Sequence, residues 1–414
     1  MRVLIIISRI IIGIVFMFSG IVKAIDPLGS AYKFHDYFQA FGMEFFYPLA
    51  LPLSVLLSTS EFISGFAVLS GYRQKTGIIL VMILMLVFTP LTLVLALTNP
   101  VSDCGCFGDA IHLTNWETFG KNVILMVFAV ILLAGMKRVR SVFSPVKEWM
   151  LLGIMTLLVV VFALLNLRYL PLVDFLPYRP GVNIEEGMKI PEGMAADQYE
   201  TTFIYEKDGV NKEFSLDNYP ADDTSWVFVD AKSVLVKKGY QPPIHDFSLT
   251  TRDGYDITDQ VLASEGYILL LISTKLEEAD QGRLRDGFSL GNYVGANGMD
   301  FYVVTSSGAD VLMDYNNGLT FCTADEITLK TIVRSNPGYL LLRDGNIAGK
   351  WSWATVPARE DFIADAPSGY YRDLDIKAYR IAVILTGLSV IILMLLPAVV
   401  GKKDTRLHGD QGIA

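Results

Sequence analysis

The residues of this sequence best suited to chemistry are two cysteines separated by one glycine. They lie in the segment Asp103-Cys104-Gly105-Cys106-Phe107-Gly108-Asp109. A disulfide between Cys104 and Cys106 would close a small ring, and such a ring tends to be strained and easily reduced. The pair is therefore a candidate redox site that exchanges disulfides with a partner.

Two other roles for this pair are open. It could be a static staple of its loop, or half of a metal site. Asp103 and Asp109 would tend to raise the pKa of nearby thiols, which does not favour exchange. The histidines show no ligand spacing, so the sequence predicts no metal site; they are His35, His112, His245 and His408.

Two ionisable residues stand inside apolar stretches. Arg9 and Glu61 are costly there, and such residues usually pair or line a polar cavity. They could form a partnership, or Arg9 could reach the membrane surface while Glu61 meets backbone or hydroxyl groups. Lys23 is more simply interpreted as a residue anchored at the membrane surface.

The elements that must position these residues are membrane spans. The chain is 52% hydrophobic and 19% charged, whereas about 25% charged is usual for globular proteins. Uncharged runs long enough to cross a bilayer predict six spans. They are Val3 to Ala24, Tyr47 to Leu69, Gly77 to Thr98, Lys121 to Met136, Trp149 to Tyr169 and Tyr379 to Val400.

Basic residues predict the orientation of these spans. With strict alternation, every basic cluster falls on one face, which the positive-inside rule assigns to the cytoplasm. The clusters are Arg2, Arg73 with Lys75, the group Lys137, Arg138, Arg140 and Lys147, and the group Lys402, Lys403 and Arg406. We expect a bacterial inner-membrane protein with both termini cytoplasmic and the cysteine loop and soluble domain periplasmic. The net charge of -9 argues against nucleic-acid partners.

The soluble domain contains motifs of a known fold. Asp246-Phe247-x-Leu249 is followed by Asp253-Gly254, and Asn336-Pro337-Gly338 precedes a hairpin closed at Asp344-Gly345. This order resembles a thioredoxin-like domain of the peroxiredoxin type, which implies that Pro337 is the cis proline facing the active-site cysteines.

The domain departs from that family at its reactive position. Where the family places Cys-x-x-Cys, this chain has Thr274-Lys275-Leu276-Glu277. No thiol is present there to react, which favours a binding or scaffolding role for the domain. Its lone thiol, Cys322, is better explained as a small buried residue, although it could form a mixed disulfide.

The N-terminal part resembles a second family. Arg9-x-x-x-Gly13, Phe18-Ser19-Gly20-x-x-Lys23, Glu61 and the Asp103 to Gly108 loop together resemble the DoxX/MauE class of four-helix membrane proteins. That resemblance implies thiol- or quinone-linked oxidoreduction outside the cytoplasm, and for MauE the maturation of a disulfide-rich periplasmic enzyme subunit. No cofactor is evident from the residues; a quinone is compatible with the resemblance.

These observations predict a fold class and a domain order. The fold is an α-helical membrane bundle, with a four-helix DoxX-like core and two further spans, that carries an α/β thioredoxin-like extracytoplasmic domain. The predicted division is a DoxX/MauE-like domain at 1–140, a fifth span at 141–170, a β-rich lead-in at 171–243, the thioredoxin-like domain at 244–375, and a sixth span with a tail at 376–414.

Two functions from different classes follow. The first is an inner-membrane component of thiol-disulfide or quinone-linked redox chemistry, acting on extracytoplasmic client proteins. The second is a non-enzymatic scaffold or accessory subunit of an envelope complex, with the cysteine pair as a staple. A transporter is a weaker third interpretation, because the chain shows no inverted repeat.

Overall fold

The computed structural model describes residues 2–362, apart from 102, 139–143, 197, 221–222, 238, 245 and 316–317, and residue 387. Among these described residues, five helices are long and apolar enough to cross a membrane, so the chain is an integral membrane protein. They are α1 (Arg2–Ile25), α3 (Ala50–Ser70), α4 (Gln74–Thr98), α5 (Asn115–Gly135) and α6 (Pro145–Tyr169). The predicted sixth span, Tyr379 to Val400, lies outside the described residues except for Gly387.

The first five predicted spans are confirmed, with one shift of a boundary. The fourth helix, α5, begins before Lys121, because Thr114 and Glu117 form a capping box at its start. The Thr114 hydroxyl and the Glu117 carboxylate each bond the backbone of the other residue. A capping box satisfies N–H groups that a helix start otherwise leaves unpaired, so this helix can begin outside its apolar run.

Helices α1 and α3 pack closely because glycines face each other across their interface. A Cβ on Gly20 would lie 2.4 Å from the Phe62 backbone nitrogen, and one on Gly65 would lie 2.7 Å from the Met17 nitrogen. Only a residue without a side chain fits such an approach. This close contact fixes the rotation of each helix about its own axis, and that rotation determines where the polar side chains point.

A short helix, α2 (Pro27–Ala40), follows α1 at one end of the bundle. The loop that carries the cysteine pair joins α4 to α5, and the soluble part follows α6. Because each of these segments follows a span that runs in the same direction, all three lie at the same end. Direct contacts between them, described below, agree with this placement.

The soluble part begins with a short helix and a separate sheet. Helix α7 (Ile184–Met188) precedes strands β1 (Gln198–Lys207), β2 (Val210–Ser215) and β3 (Val227–Lys237). They pair antiparallel in the order β2-β1-β3. This agrees with the β-rich pattern predicted for the segment, while the domain boundaries themselves stay a prediction.

The second sheet has six strands in the order β4-β7-β6-β5-β8-β9. Strands β5, β6 and β7 are parallel, and the other pairs are antiparallel. The strands are β4 (Thr250–Thr251), β5 (Tyr267–Ser273), β6 (Asp300–Thr305), β7 (Thr320–Thr323), β8 (Gly338–Arg343) and β9 (Asn346–Ser352). The helices are α8 (Thr258–Leu262), α9 (Gln281–Ala296), α10 (Ala309–Met313) and α11 (Glu326–Ile332).

Strand β5 lies at the centre of this sheet and is buried on both faces. Ile268 and Ile272 pack into the core on one side, and Leu269 and Leu271 into the core on the other. A nearly continuous apolar run is what a strand covered on both faces requires. This mixed sheet with its helices is a thioredoxin-like fold. Of the predicted fold class, the α-helical membrane bundle with five spans and the α/β thioredoxin-like domain are confirmed.

Candidate functional site

The two cysteines of the loop lie against each other. The Sγ atoms of Cys104 and Cys106 are 3.0 Å apart, within hydrogen-bond distance, and both thiols are free. Gly105 adopts a positive φ of 61°, and its N–H donates to Asp103 Oδ1 over 2.8 Å. This backbone conformation, which favours glycine, folds the turn so that its two side chains meet.

Three side chains bind the carbonyl groups of the pair. Lys23 Nζ donates to the Cys106 carbonyl over 2.6 Å, and Ser19 Oγ donates to it over 2.8 Å. The Tyr37 hydroxyl of α2 donates to the Cys104 carbonyl. The loop is thus attached to α1 on one side and to α2 on the other.

Glu61 is paired, but not with Arg9. Its carboxylate lies 2.8 Å from Lys23 Nζ and 2.8 Å from Ser19 Oγ, and the side chains of Lys23 and Glu61 are both almost fully buried. The pairing of Arg9 with Glu61, one of the two alternatives that the sequence left open, does not form. Lys23 is buried against Glu61 and is not anchored at the membrane surface. Since a Cα–Cβ bond in a helix tilts toward the N-terminus, the long Lys23 side chain extends back into the membrane toward Glu61.

The Arg9 side chain also extends toward the N-terminus of α1, but at the other end of the bundle. Its guanidinium donates to the Val68 carbonyl over 3.2 Å and to the Leu69 carbonyl over 3.1 Å. These carbonyl groups belong to the last turn of α3, where helix carbonyls lack partners within the helix. Arg9 therefore caps α3 at the opposite end of the bundle from the cysteines.

The surroundings of the two thiols shift their pKa values in opposite directions. The hydrogen bond from Cys104 lowers the pKa of Cys106 to about 6; burial opposes this change, and the positive charges of Lys121 and Lys23 assist it. The same hydrogen bond raises the pKa of Cys104 well above its usual range, and burial adds to it. Cys106 is therefore the thiolate of the pair, and Cys104 carries the shared proton. Because a thiolate is the reactive form of cysteine, such a pair can take part in exchange.

A cavity of about 360 Å³ in the membrane bundle meets this pair. One end is lined by both cysteines and by polar side chains that include Lys23, Tyr37 and Lys121. The other end is apolar, and its lining includes Leu56, Leu57, Leu84, Val87, Phe88 and Leu91 of α3 and α4. Val87 and Leu56 also have large exposed fractions, 57% and 61%, on the lipid-facing surface. The cavity thus joins the thiols to the hydrocarbon region.

The peptide bond between Asn336 and Pro337 is cis. The role of Pro337 as the proline that faces a reactive site stays a prediction. Asn336 accepts a hydrogen bond from Ser273 Oγ over 2.7 Å and donates to the Lys275 carbonyl over 3.4 Å. Pro337 therefore stands beside the segment Thr274 to Glu277, which has no cysteine.

Cys322 is fully buried in β7. Burial raises its pKa to about 11, which leaves it protonated at neutral pH. It has the environment of an apolar core residue. Among the residues that the structure describes, no group of three or more His, Cys, Asp or Glu could hold a metal ion.

Some residues of the site were not singled out by sequence reasoning. Tyr37 was unremarkable in an aromatic segment, and Asp26 and Arg334 lie far apart in the chain. Arg334 Nε is 2.8 Å from Asp26 Oδ2, and its Nη2 is 2.6 Å from Asp109 Oδ2. One signal was available for Asp26, because an Asp before a Pro-initiated helix is a common N-cap.

Comparison with known proteins agrees with the resemblance of the N-terminal part. Residues 1–135 match the family described as methylamine utilisation protein MauE, so the N-terminal membrane region is a MauE-family region. Residues 199–238 match a domain of unknown function, DUF8463, which covers the three-stranded sheet. No curated protein matches the chain.

The soluble domain is similar to a solved structure. That structure is BsSco, titled as a member of the Sco family of cytochrome c oxidase assembly proteins in which a disulfide switch was identified. The identity is 18%, the match covers 30% of this chain and 92% of BsSco, and the TM-score is 0.24.

Proposed function

We propose that this protein is a membrane-bound thiol-disulfide oxidoreductase whose reactive groups are Cys104 and Cys106. The observation that carries the proposal is the cavity that joins this pair to the lipid-facing surface between α3 and α4. A static staple needs no such cavity. A pair that passes electrons from a client protein to a lipid-soluble acceptor needs both an exposed edge and a route to the membrane.

The proposed exchange balances in atoms and electrons. A client thiolate attacks the Cys104 sulfur of the oxidised pair, a mixed disulfide forms, and Cys106 leaves as a thiolate. A second client thiol, deprotonated to a thiolate, then displaces Cys104, so the client gains a disulfide and the pair gains two electrons. The thiol with the lower pKa leaves faster, which assigns the leaving role to Cys106.

The cavity suits a quinone as the acceptor of these electrons. The chemistry that such a carrier supplies is the uptake of two electrons and two protons, the same number that the dithiol releases on forming a disulfide. The donor groups of Lys23 and Tyr37 stand at the polar end, where they would orient a carbonyl-bearing head. The apolar side chains at the other end would hold a hydrocarbon tail.

The compartment belongs to the same proposal. Basic residues near Arg73 and Lys137 support a cytoplasmic location for the end of the bundle opposite the cysteines. The pair and the soluble domain would then lie in the periplasm, where disulfides persist. The clients would be extracytoplasmic proteins with oxidisable thiols.

Trapping of mixed disulfides tests the proposed exchange. In Cys106→Ala, the Cys104 thiolate can still attack the disulfide of an oxidised client, which is the reverse of the second step, and Cys106 is not there to resolve the mixed disulfide. We therefore expect Cys104 to accumulate mixed disulfides with envelope proteins, visible as reducible bands on non-reducing gels. The Cys104→Ala variant is expected to accumulate far fewer, and Cys322→Ala none beyond the wild type. If neither loop variant accumulates reducible adducts, the exchange role fails.

A second candidate function is a non-enzymatic subunit of an envelope complex. It is favoured by the thioredoxin-like domain, which has Thr274 to Glu277 where its family has cysteines. Purification in mild detergent separates the two functions. A scaffold would retain stoichiometric partners after Cys104 and Cys106 are both changed to Ser, whereas a thiol-dependent client would be lost.

A further inference from the structure

One arginine joins the thioredoxin-like domain to the membrane part of the chain. Arg334 lies between helix α11 and the cis proline, and its side chain is 8% exposed. Its guanidinium bonds Asp26 over 2.8 Å and Asp109 over 2.6 Å. The positive charge also lies over the Tyr32 ring of α2, with Cζ 5.4 Å from the ring centroid.

The two carboxylates belong to the two segments that surround the cysteine pair. Asp26 is the N-cap of α2 and accepts the Gly29 N–H over 2.8 Å. Asp109 stands in the cysteine loop, three positions after Cys106. A single side chain of the soluble domain therefore fixes the start of α2 relative to the end of the loop.

Helix α2 in turn lies over the cysteine turn. Lys33 packs against Gly105, where a Cβ would come within 2.9 Å of the Lys33 side chain. Lys33 Nζ also pairs with Asp103 over 3.1 Å, and Tyr37 bonds the Cys104 carbonyl. Both ends of the loop are thus tied by ion pairs, one to α2 and the other to the thioredoxin-like domain.

We infer that Arg334 is a positioning residue that holds α2 and the cysteine loop closed over Cys104 and Cys106, so that the thioredoxin-like domain controls the access of aqueous thiols to the pair. The inference rests on the proposed function in taking this pair as the reactive site. It gives the soluble domain a role that needs no thiol of its own. The route from the lipid side, through the cavity, does not pass this contact.

The chemistry of the contact makes this role specific to arginine. A planar guanidinium binds two carboxylates at once through different nitrogens, which the single ammonium of lysine does less well. Removing Arg334 leaves the buried Asp26 and the partly buried Asp109 without their shared counter-charge, which favours separation of the two segments. Gly29 permits the contact, since a Cβ there would lie 2.4 Å from Asp26 Oδ2 and 2.9 Å from Arg334 Nη2.

Alkylation of the reduced pair tests the inference. The full chain with Cys322→Ala is reconstituted in nanodiscs, reduced, and treated with a charged maleimide while labelling is followed by mass spectrometry. Arg334→Gln and Gly29→Ala are expected to speed labelling of Cys104 and Cys106 by about tenfold or more, because a buried ion pair that loses its geometry favours the open state. Arg334→Lys should give an intermediate rate.

The matched control is Arg343→Gln, at the end of β8, where the exposed arginine donates to the Glu265 carbonyl and to the Tyr267 hydroxyl. Its labelling rate should equal that of the parent. Rates for Arg334→Gln and Gly29→Ala within about twofold of the parent would overturn the inference, as would equal acceleration in Arg343→Gln. If Arg334→Gln does not fold, Gly29→Ala decides the matter alone.

The outcome of the labelling experiment does not depend on whether the proposed function is correct. Alkylation needs neither a client nor a quinone, so a chain that never forms mixed disulfides can still show the effect of Arg334. Conversely, an unchanged labelling rate removes the positioning role and leaves the trapping experiment on Cys104 and Cys106 unaffected.

Discussion

At the scale of single residues, the site depends on the direction in which helical side chains extend. Lys23 and Arg9 both lie on α1, and each long side chain extends toward the helix N-terminus. That direction brings Lys23 to Glu61 and takes Arg9 away from it, to the end of α3. The sequence alone indicated that Arg9 and Glu61 needed partners, but the rotation of two mainly apolar helices decides which partners they find.

The ion pair of Lys23 with Glu61 leads to a prediction about stability. Lys23→Met leaves the Glu61 carboxylate buried without a counter-charge and removes a donor to the Cys106 carbonyl, so we expect a loss of about 3–5 kcal/mol. The double variant Lys23→Met/Glu61→Leu should recover most of that loss. Thermal unfolding in detergent measures both, and equal stabilities of the single and double variants would contradict the prediction.

The lowered pKa of Cys106 leads to a prediction about pH. Below a pH of about 6 the thiol is protonated and unreactive; above it the thiolate forms, so the alkylation rate should rise through about pH 6 and level off near neutrality. The measurement is the rate of iodoacetamide labelling between pH 4.5 and 8, in steps of about half a unit, in Cys322→Ala. In Cys106→Ala the inflection near 6 should be absent. An inflection only near the ordinary thiol pKa would mean that Cys104 does not stabilise the thiolate.

At the scale of elements, hydropathy located the first five spans because a bilayer demands about 20 apolar residues in a row. The capping box at Thr114 and the apolar strand β5 are local patterns of the same kind, since each lies within a few consecutive residues. The contact of α1 with α3 was not, because it depends on glycines that oppose each other across two helices. Nothing in either helix alone indicates that Gly20 faces Phe62.

That contact leads to a prediction with an internal control. Gly20→Ala places a methyl group 2.4 Å from the Phe62 backbone, so the helices must separate, and we expect a loss of about 1–3 kcal/mol. Gly120→Ala in α5 meets nothing within 4 Å and should be neutral or slightly stabilising. Thermal unfolding of both variants decides the point, because a loss of equal size at Gly120 would indicate a general effect of the substitution.

At the scale of the whole molecule, the structure brings together segments that no local pattern connects. Arg334 and Asp26 are 308 positions apart and form a buried ion pair. The alternation of spans predicted that the cysteine loop and the soluble domain share one end of the bundle, and the Arg334 contacts agree with this prediction. The particular residues that meet there follow from how the domain rests on α2, which hydropathy and spacing do not determine.

The side of the membrane on which the cysteine loop and the soluble domain lie is predicted from the distribution of basic residues and not from contacts. Lys75 lies in the first turn of α4, at the end of the bundle opposite the cysteine loop. Glu192 is exposed on the soluble part. In a chain without native cysteines, Glu192→Cys should react with an impermeant maleimide in intact spheroplasts, because the positive-inside rule predicts that the end with the basic residues faces the cytoplasm. Lys75→Cys should react only after permeabilisation. The reverse pattern would place Cys104 and Cys106 in the reducing cytoplasm, where a stable disulfide does not form, and would remove the basis for exchange with envelope proteins.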